Sequence, residues 1–588
     1  MEEFNEYYSN PAIIKMLCKH RAKISHKRHK KHMIRDISLH HRTNNISIPD
    51  SNIEFIRIQS FFPTRRNWKK LNQNERLHPD KYNNSLEKNE MRLWKSYKYE
   101  KYLVDFHNKI PEKWYLNLIK FCEDIRANVK KVLTNEYVLS KPEIFPLLKS
   151  SNNNENLYRP IAKYTLEDKI ITSLFSKYLT IKFDTIFSDS SFAFRARRNG
   201  KIPNHHDSII EILKYRKKYR KIWVSECDIQ KFYDCVQHKH LISIFNETII
   251  ELNQKGTEIS PIAIKLFSIF LDSYSFNKDV LPKNHEPTYF SLHGVSPGKF
   301  GWVEDELIKK YSKDYIQVHK IGVPQGNAVS CFIANLILNR VDQLVKKVES
   351  EILYVRYCDD MILAHPRKDV CQKALSIYNK GIDDNFLLYH KPKALINYKE
   401  SSEIFWKSKS KKPYFLGNKH LSENNVPWLS FVGYQINYKG EIRIRKSSIQ
   451  KEVKKQIAET QRILNSIGLD RNRNLENIND FSRKSKGQII FSLQQRLISM
   501  SVGRVTVHNY KNYSKNDLCW TNGFNLIRKN KITINQFKYL DRRREQQIAY
   551  LSKMINKLEK DSDEIDDLPK YMKDLYYGLP YSYYNYVK

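Results

Sequence analysis

Residues 351–365 read EILYVRYCDDMILAH. On the N-terminal side, Ile352, Tyr354 and Arg356 alternate with Leu353, Val355 and Tyr357. That period of two is the signature of a strand. On the other side, Met361, Ile362, Leu363 and Ala364 form a short apolar run, which suits a buried strand. Between them lie Cys358, Asp359 and Asp360, so the stretch reads as a β-hairpin with adjacent carboxylates at its turn. Two carboxylates between apolar strands are costly unless a cation accompanies them. Divalent metal suits the position, because Mg²⁺ prefers carboxylate oxygens. Turns also favour Asp for local reasons, so a solvated Asp-Asp turn is the competing reading, and the rest of the chain decides between them.

The chain has 588 residues, too many for one ordinary core, and two to four domains are expected. It carries 102 Lys and Arg against 64 Asp and Glu, a formal net charge of +38. Such a balance points to nucleic acid, whose phosphates supply the counter-charge, more than to a membrane surface. No apolar run approaches the length of a membrane span. The first residues include Glu2, Glu3 and Glu6 and lack the apolar core of a signal peptide. Eight scattered cysteines without a CxxC pair argue against a zinc ribbon or finger, and the expected setting is a reducing cytosol.

In chain order, residues 1 to about 110 form a basic extension. Lys19-His20-Arg21 and the run from His26 to His32 read either as a solvated arm or as an RNA contact. Arg65, Arg66, Trp68, Lys69 and Lys70 interleave an aromatic with cations, as nucleic-acid grooves do. A helical pattern follows from Pro111 to Thr134. Two extended runs then flank an Asn-rich turn, a predicted hairpin carrying Lys149 and Arg159. A helix starts at Thr165, and a basic loop spans Ser190 to Arg198. Residues 222–234, IWVSECDIQKFYD, read as a buried strand ending at Asp228, with Phe232 and Tyr233 just beyond. A carboxylate at the C-terminal end of a strand is a usual place for a site. Pro324-Gln325-Gly326 forms a turn that launches an amphipathic helix and brings backbone close to a ligand. Another hairpin spans Trp428 to Arg445. Beyond it the chain turns helical, with Val453, Ile457, Leu464 and Ile467 on one face and Gly468 closing the helix. A helix from Gln488 to Val502 and one from Asp541 to Leu558 follow, the latter with Arg542, Arg543 and Arg544 outward. Seven tyrosines lie between Tyr571 and Tyr586.

Taken together, Arg159-Pro160-Ile161, Glu167-Asp168, Ser191 to Arg195, Val323 to Gly326 and Tyr357-Cys358-Asp359-Asp360 occur in an order that resembles reverse transcriptases. The bacterial group II intron-like enzymes are the nearest in pattern, over roughly residues 110–470. The resemblance implies an α+β right-hand polymerase: a basic extension (1–110), fingers (111–220), palm (221–440), and a helical thumb and C-terminal region (441–588). It implies RNA-directed DNA synthesis with two Mg²⁺ ions held by Asp228, Asp359 and Asp360. Lys149 and Arg159 would reach the triphosphate, and Gln325 and Gly326 would line the template and nucleotide pocket. Tyr233 would exclude ribonucleotides, and Lys393 would protonate pyrophosphate. Phe431, Gly433 and Tyr434 would grip the primer. The implied partners are dNTPs, an RNA template and a DNA product, without a membrane, and the sequence leaves oligomerisation open.

No HNH endonuclease or RNase H carboxylate set is evident. A polymerase without mobility machinery resembles the domesticated bacterial enzymes of antiphage defence and abortive infection, which implies a cytoplasmic location and a noncoding RNA. By that resemblance the C-terminal tyrosines could offer a hydroxyl as primer, against simple ring packing. Three other readings stand beside this one: an RNA-directed RNA polymerase, an untemplated DNA polymerase, and a non-catalytic RNA-binding scaffold.

Overall fold

In the computed structural model the decisive stretch is a hairpin, and a sheet is built around it. The structure describes residues 2–37, 53–77, 85–152, 155–198, 200–391, 398–421, 425–467, 482, 484–502, 519–528 and 530–556. Lys393, Gly468, Leu558 and the tyrosines from Tyr571 onward lie outside the described residues. The chain divides into two units. One comprises Met1–Ile13, Lys120–Val432 and Ile436–Glu441, and the other Ile14–Ile119, Gly433–Gln435 and Ile442–Lys588.

In the first unit, β1 (Glu143–Asn152) and β2 (Glu155–Lys163) form a long antiparallel hairpin, and the short strand Lys299–Phe300 runs parallel to β2. Leu147 pairs with Arg159 and Leu148 with Tyr158, but Ser150 pairs with Leu157. Lys149 is therefore the extra residue of a β-bulge, a device that re-aims a side chain. Helix α1 (Leu166–Phe183) follows, its N-cap Thr165 accepting from the Asp168 amide.

The central sheet contains β3 (Trp223–Cys227), β4 (Leu353–Tyr357), β5 (Asp360–His365), β6 (Lys411–Leu416) and β7 (Asn425–Val426). Their spatial order is β7-β6-β3-β5-β4. Strands β3 and β5 are antiparallel, with Cys227 opposite Met361. Between β3 and β4 in sequence lie the single turn α2 (Phe232–Cys235) and the long helix α3 (Ala328–Lys346), and α4 (Lys368–Asp384) follows β5. Helices α1 and α4 pack on α3. A Cβ on Gly381 of α4 would sit 3.1 Å from Val341 of α3, so only glycine allows this approach without displacement. By length and hydropathy α3 passes for a membrane span, contrary to the expectation from sequence. Most of it is buried in this unit, Asn335, Asn339 and Asp342 included, which identifies it as a core helix.

The second unit is largely helical. Lys19, His20, Arg21 and the run from His26 to His32 lie in a helix, Asn10–Ile37. Arg21 is buried, and its guanidinium lies over Trp68, which Arg92 also approaches. Trp68 is itself buried and donates its ring N–H to the Pro63 carbonyl. It serves as a core anchor, not as a platform for a base. Ile37 joins a core with Ile463, Leu464 and Ile467, with Ile489, Leu493 and Leu497, and with Ile548, Leu551 and Ile555. These side chains come from the helices Lys446–Ser466, Lys486–Val502 and Lys531–Asn556 and the residues beside them. Two expectations fail here: Ile457 is exposed, and Arg544 is fully buried.

Candidate active site

The hairpin places its carboxylates through a strained turn. Tyr357 pairs with Asp360, leaving Cys358 and Asp359 as a two-residue connection. Cys358 has φ +59°, a left-handed conformation uncommon outside glycine, and such residues cluster at functional sites. Below the turn the fully buried Arg356 grips Asp342 of α3 through Nε and Nη2, at 2.8 and 2.6 Å. Its Nη1 donates to the Cys358 carbonyl at 2.9 Å. Tyr354 adds a hydrogen bond to the same Asp342 carboxylate at 2.6 Å. The sheet is thereby tied to the turn that bears Asp359.

Asp228 follows the last residue of β3, next to the start of β5. Its amide donates to Ser410 Oγ at 3.0 Å, and its carbonyl accepts from the His390 amide at 2.9 Å. One carboxylate oxygen lies 3.0 Å from Lys409 Nζ and 3.6 Å from His390 Nε2. Burial holds the Asp359 carboxyl above the usual range, and the negative charge of Asp228 adds to the effect. Burial also lowers the His390 pKa, and Lys409 lowers it further, which favours a neutral ring accepting from the ammonium. Within β3, Glu226 pairs with the buried Lys411 at 2.6 Å and accepts from Tyr414 at 2.7 Å, fixing the strand against β6.

Among the described residues, no three His, Cys, Asp or Glu side chains converge closely enough to cage a metal. Asp228 and Asp359 stand together, whereas Asp360 opens β5 at the exposed end of the strand. A pair of this kind suits Mg²⁺, which is usually held by one or two carboxylates and completed by substrate phosphates and water. The ammonium of Lys409 on Asp228 shows that this carboxylate takes a cation.

A second cluster assembles around Asp234, which sequence reading overlooked. Lys231, at φ +48°, occupies the N-cap position of α2. The Tyr233 hydroxyl donates to the Cys331 thiol, and its pKa is raised by burial, with Cys358 and Asp359 adding to the effect. Its carbonyl accepts from the Val323 amide at 2.8 Å, which ties the aromatic to the Pro324-Gln325-Gly326 turn. Gln325 donates from Nε2 to Asp234 Oδ1 at 2.7 Å, and its carbonyl accepts from Ala162 of β2 at 3.0 Å. Gly326 has φ +97°, and a Cβ there would lie 3.3 Å from Ile161. Asn327 caps α3 by accepting from the Val329 amide at 2.9 Å.

Lys149 has a lowered pKa, through burial first and then the charges of Lys231, Lys409 and Arg159. These four cations therefore share one neighbourhood. The basic loop does not join it: Arg195 is buried and, with Arg198, neutralises Asp184. In the first unit Phe431 ends a short strand and is buried, followed by Val432 at φ +38°. In the second unit Gly433 has φ +89°, and Tyr434 donates to the Gly523 carbonyl at 3.3 Å and packs against Phe524.

Lys409, Lys231 and Asp234 gave no periodic signal in the sequence. A carboxylate immediately after two aromatics, in the run Phe232 to Val236, was the one mark that could have revealed Asp234.

Residues 148–420 match the family described as reverse transcriptase (RNA-dependent DNA polymerase). That segment is an RNA-directed DNA polymerase domain, a nucleotidyltransferase. It contains Asp228, Asp359, Lys149, Arg159, Tyr233 and Gln325. No curated protein matches the chain. Among solved structures, telomerase from Candida albicans in complex with a TWJ fragment of telomeric RNA is 14% identical, at a TM-score of 0.31, covering 79% of this chain and 70% of that one. The corresponding Candida tropicalis complex is 14% identical at 0.33, covering 73% and 65%. Apo telomerase from Candida tropicalis is 13% identical at 0.31, covering 85% and 79%. Likeness this distant assigns no activity.

Proposed function

We propose that the whole chain is a reverse transcriptase that adds dNTPs to a primer 3′-hydroxyl along an RNA template. The observation that carries this reading is the pairing of Asp228 and Asp359 at the ends of adjoining strands, with a cationic neighbourhood of Lys149, Arg159, Lys231 and Lys409 beside them. Two Mg²⁺ ions would supply activation of the primer hydroxyl and charge neutralisation at the triphosphate and departing pyrophosphate. Asp228 and Asp359 would hold them, with Asp360 as a further ligand. The cations would take the triphosphate, and Tyr233, fixed through Cys331, would lie beneath the sugar. Phe431, Gly433 and Tyr434 would hold the primer end, and Lys393 would donate a proton to pyrophosphate.

The resemblance set out above supports a role in bacterial antiphage defence, in the cytoplasm, with a noncoding RNA as template or partner. The decisive experiment is primer extension on RNA with Mg²⁺ and dNTPs, with sequencing of nucleic acid that co-purifies. Failure to extend any primer, alongside retained RNA binding, would leave the scaffold reading in its place.

A further inference from the structure

A buried carboxylate needs a reason, because burial without full compensation is costly. Asp234 is 1% exposed, on the single turn α2 that also carries Tyr233. Its Oδ1 accepts from Gln325 at 2.7 Å, and its Oδ2 lies 3.8 Å from Lys231 Nζ, beyond hydrogen-bond range. Lys149 and Arg159 on the β1–β2 hairpin stabilise its charge from a distance, and Tyr274 and Cys235 are its other titratable neighbours. Its backbone carbonyl accepts from the Trp302 ring N–H at 3.0 Å, which fixes the turn.

An amide side chain offers one acceptor oxygen and one donor nitrogen, and it can face a pocket either way round. An ionised carboxylate only accepts. Asp234 therefore compels Gln325, itself half-buried, to turn its NH₂ toward the carboxylate, which leaves Oε1 on the other arm of the amide as an acceptor. Gln325 is also held by its backbone to β2, so the side chain has little other freedom.

We propose that Asp234 is a positioning residue that fixes the polarity of the Gln325 amide, so that the polymerase site presents an acceptor oxygen to the incoming nucleotide and its template partner. This rests on the reverse transcriptase reading above. A protonated Asp234 carries a donor of its own and no longer dictates the amide's orientation. Burial raises the Asp234 pKa to about 6, so nucleotide binding weakens as pH falls through that value.

The test is steady-state dNTP incorporation by the full chain between pH 5 and 8. With Asp234→Asn the KM for dNTP should rise roughly tenfold while kcat changes little, and the dependence of KM on pH near 6 should disappear. The exchanged pair Asp234→Asn with Gln325→Glu places donor and acceptor in reversed order and still leaves an oxygen outward. It should recover most of the KM that Gln325→Glu alone loses. A melting curve for each variant separates misfolding from mispositioning. An unchanged KM and pH profile in Asp234→Asn, or a double variant no better than the worse single one, overturns the proposal. Absence of incorporation by the wild type would remove the polymerase reading and this one with it, whereas wild-type activity with an indifferent Asp234→Asn removes only this one.

Discussion

Arg356 donates to the Cys358 carbonyl at 2.9 Å while the same guanidinium is held by Asp342. The turn that bears Asp359 thus takes its position from a fully buried ion pair between a strand and a core helix. Removing one partner leaves an uncompensated charge, at a cost of about 3–5 kcal/mol. Asp342→Ala should therefore lower the denaturation midpoint sharply. Arg356→Met, which keeps the volume, should cost incorporation as well as stability, as read by urea titration and primer extension on the same preparations.

Asp228→Asn and Asp359→Asn retain the shape of each side chain and remove its charge. Incorporation should fall roughly a thousandfold or more in either variant, since metal-dependent phosphoryl transfer loses its ligands. RNA affinity and melting temperature should stay near those of the wild type. Near-normal incorporation by either would show the carboxylates to be misassigned.

Tyr233 is fixed by its bond to Cys331 and lies close to the Cys358–Asp359 turn. If its ring excludes the 2′-hydroxyl, the overlap it imposes is worth about 1–3 kcal/mol, which corresponds to roughly 5- to 160-fold in discrimination. Tyr233→Ala should raise rNTP use relative to dNTP by that factor. Cys331→Ala, which frees the ring without removing it, should produce a smaller change in the same direction. A wild type that already prefers rNTPs would revive the RNA-polymerase reading.

Asp234 also has a signature in stability. Its folded pKa, about 6, lies above the ordinary 3.8, so the folded state binds the proton more tightly than the unfolded chain. Stability therefore declines as pH rises from about 4 through 6 and is lowest, on this account, once the group is ionised. Asp234→Asn should be the more stable protein at pH 7.5 by about 1–3 kcal/mol, with the difference vanishing below pH 4. Denaturant titrations at the two pH values check this. A variant destabilised at both would mark Asp234 as a structural residue only.

The net charge of +38 should make nucleic-acid affinity steeply salt-dependent. Between 50 and 200 mM salt a contact through several phosphates loses about a thousandfold. Filter binding or anisotropy with a defined RNA gives the slope, and a flat response would dismiss charge as the driver.

The hairpin at 351–365 and the strand ending at Asp228 were legible because period-two patterning and apolar runs report burial directly. The bulge at Lys149, the Trp68 anchor and the Asp234–Gln325 bond were not. Each depends on which residue stands opposite in space, and a single sequence does not encode that locally. Trp68 among cations looked like a stacking platform because its composition matches one. Its guanidinium neighbours, the buried Arg21 and the half-buried Arg92, come from positions 47 and 24 residues away. Arg544 misled for the same reason: a charge in an Arg run was assigned outward, yet the helix turns it into the unit.

The bulge in β1 means that the aim of Lys149 is set by counting and not by chemistry. Register is regular on both sides of the extra residue. Residues added at the hairpin tip, beyond Ser150 and Leu157, lengthen the hairpin without touching the pairs beneath. Deleting Leu148 would instead restore regular pairing and bring Lys149 into the ladder opposite Tyr158, out of its bulged position. Length variation at the tip is thus insulated from the pairs beneath, while a single-codon deletion at Leu148 would re-aim Lys149 with every proposed site residue still present.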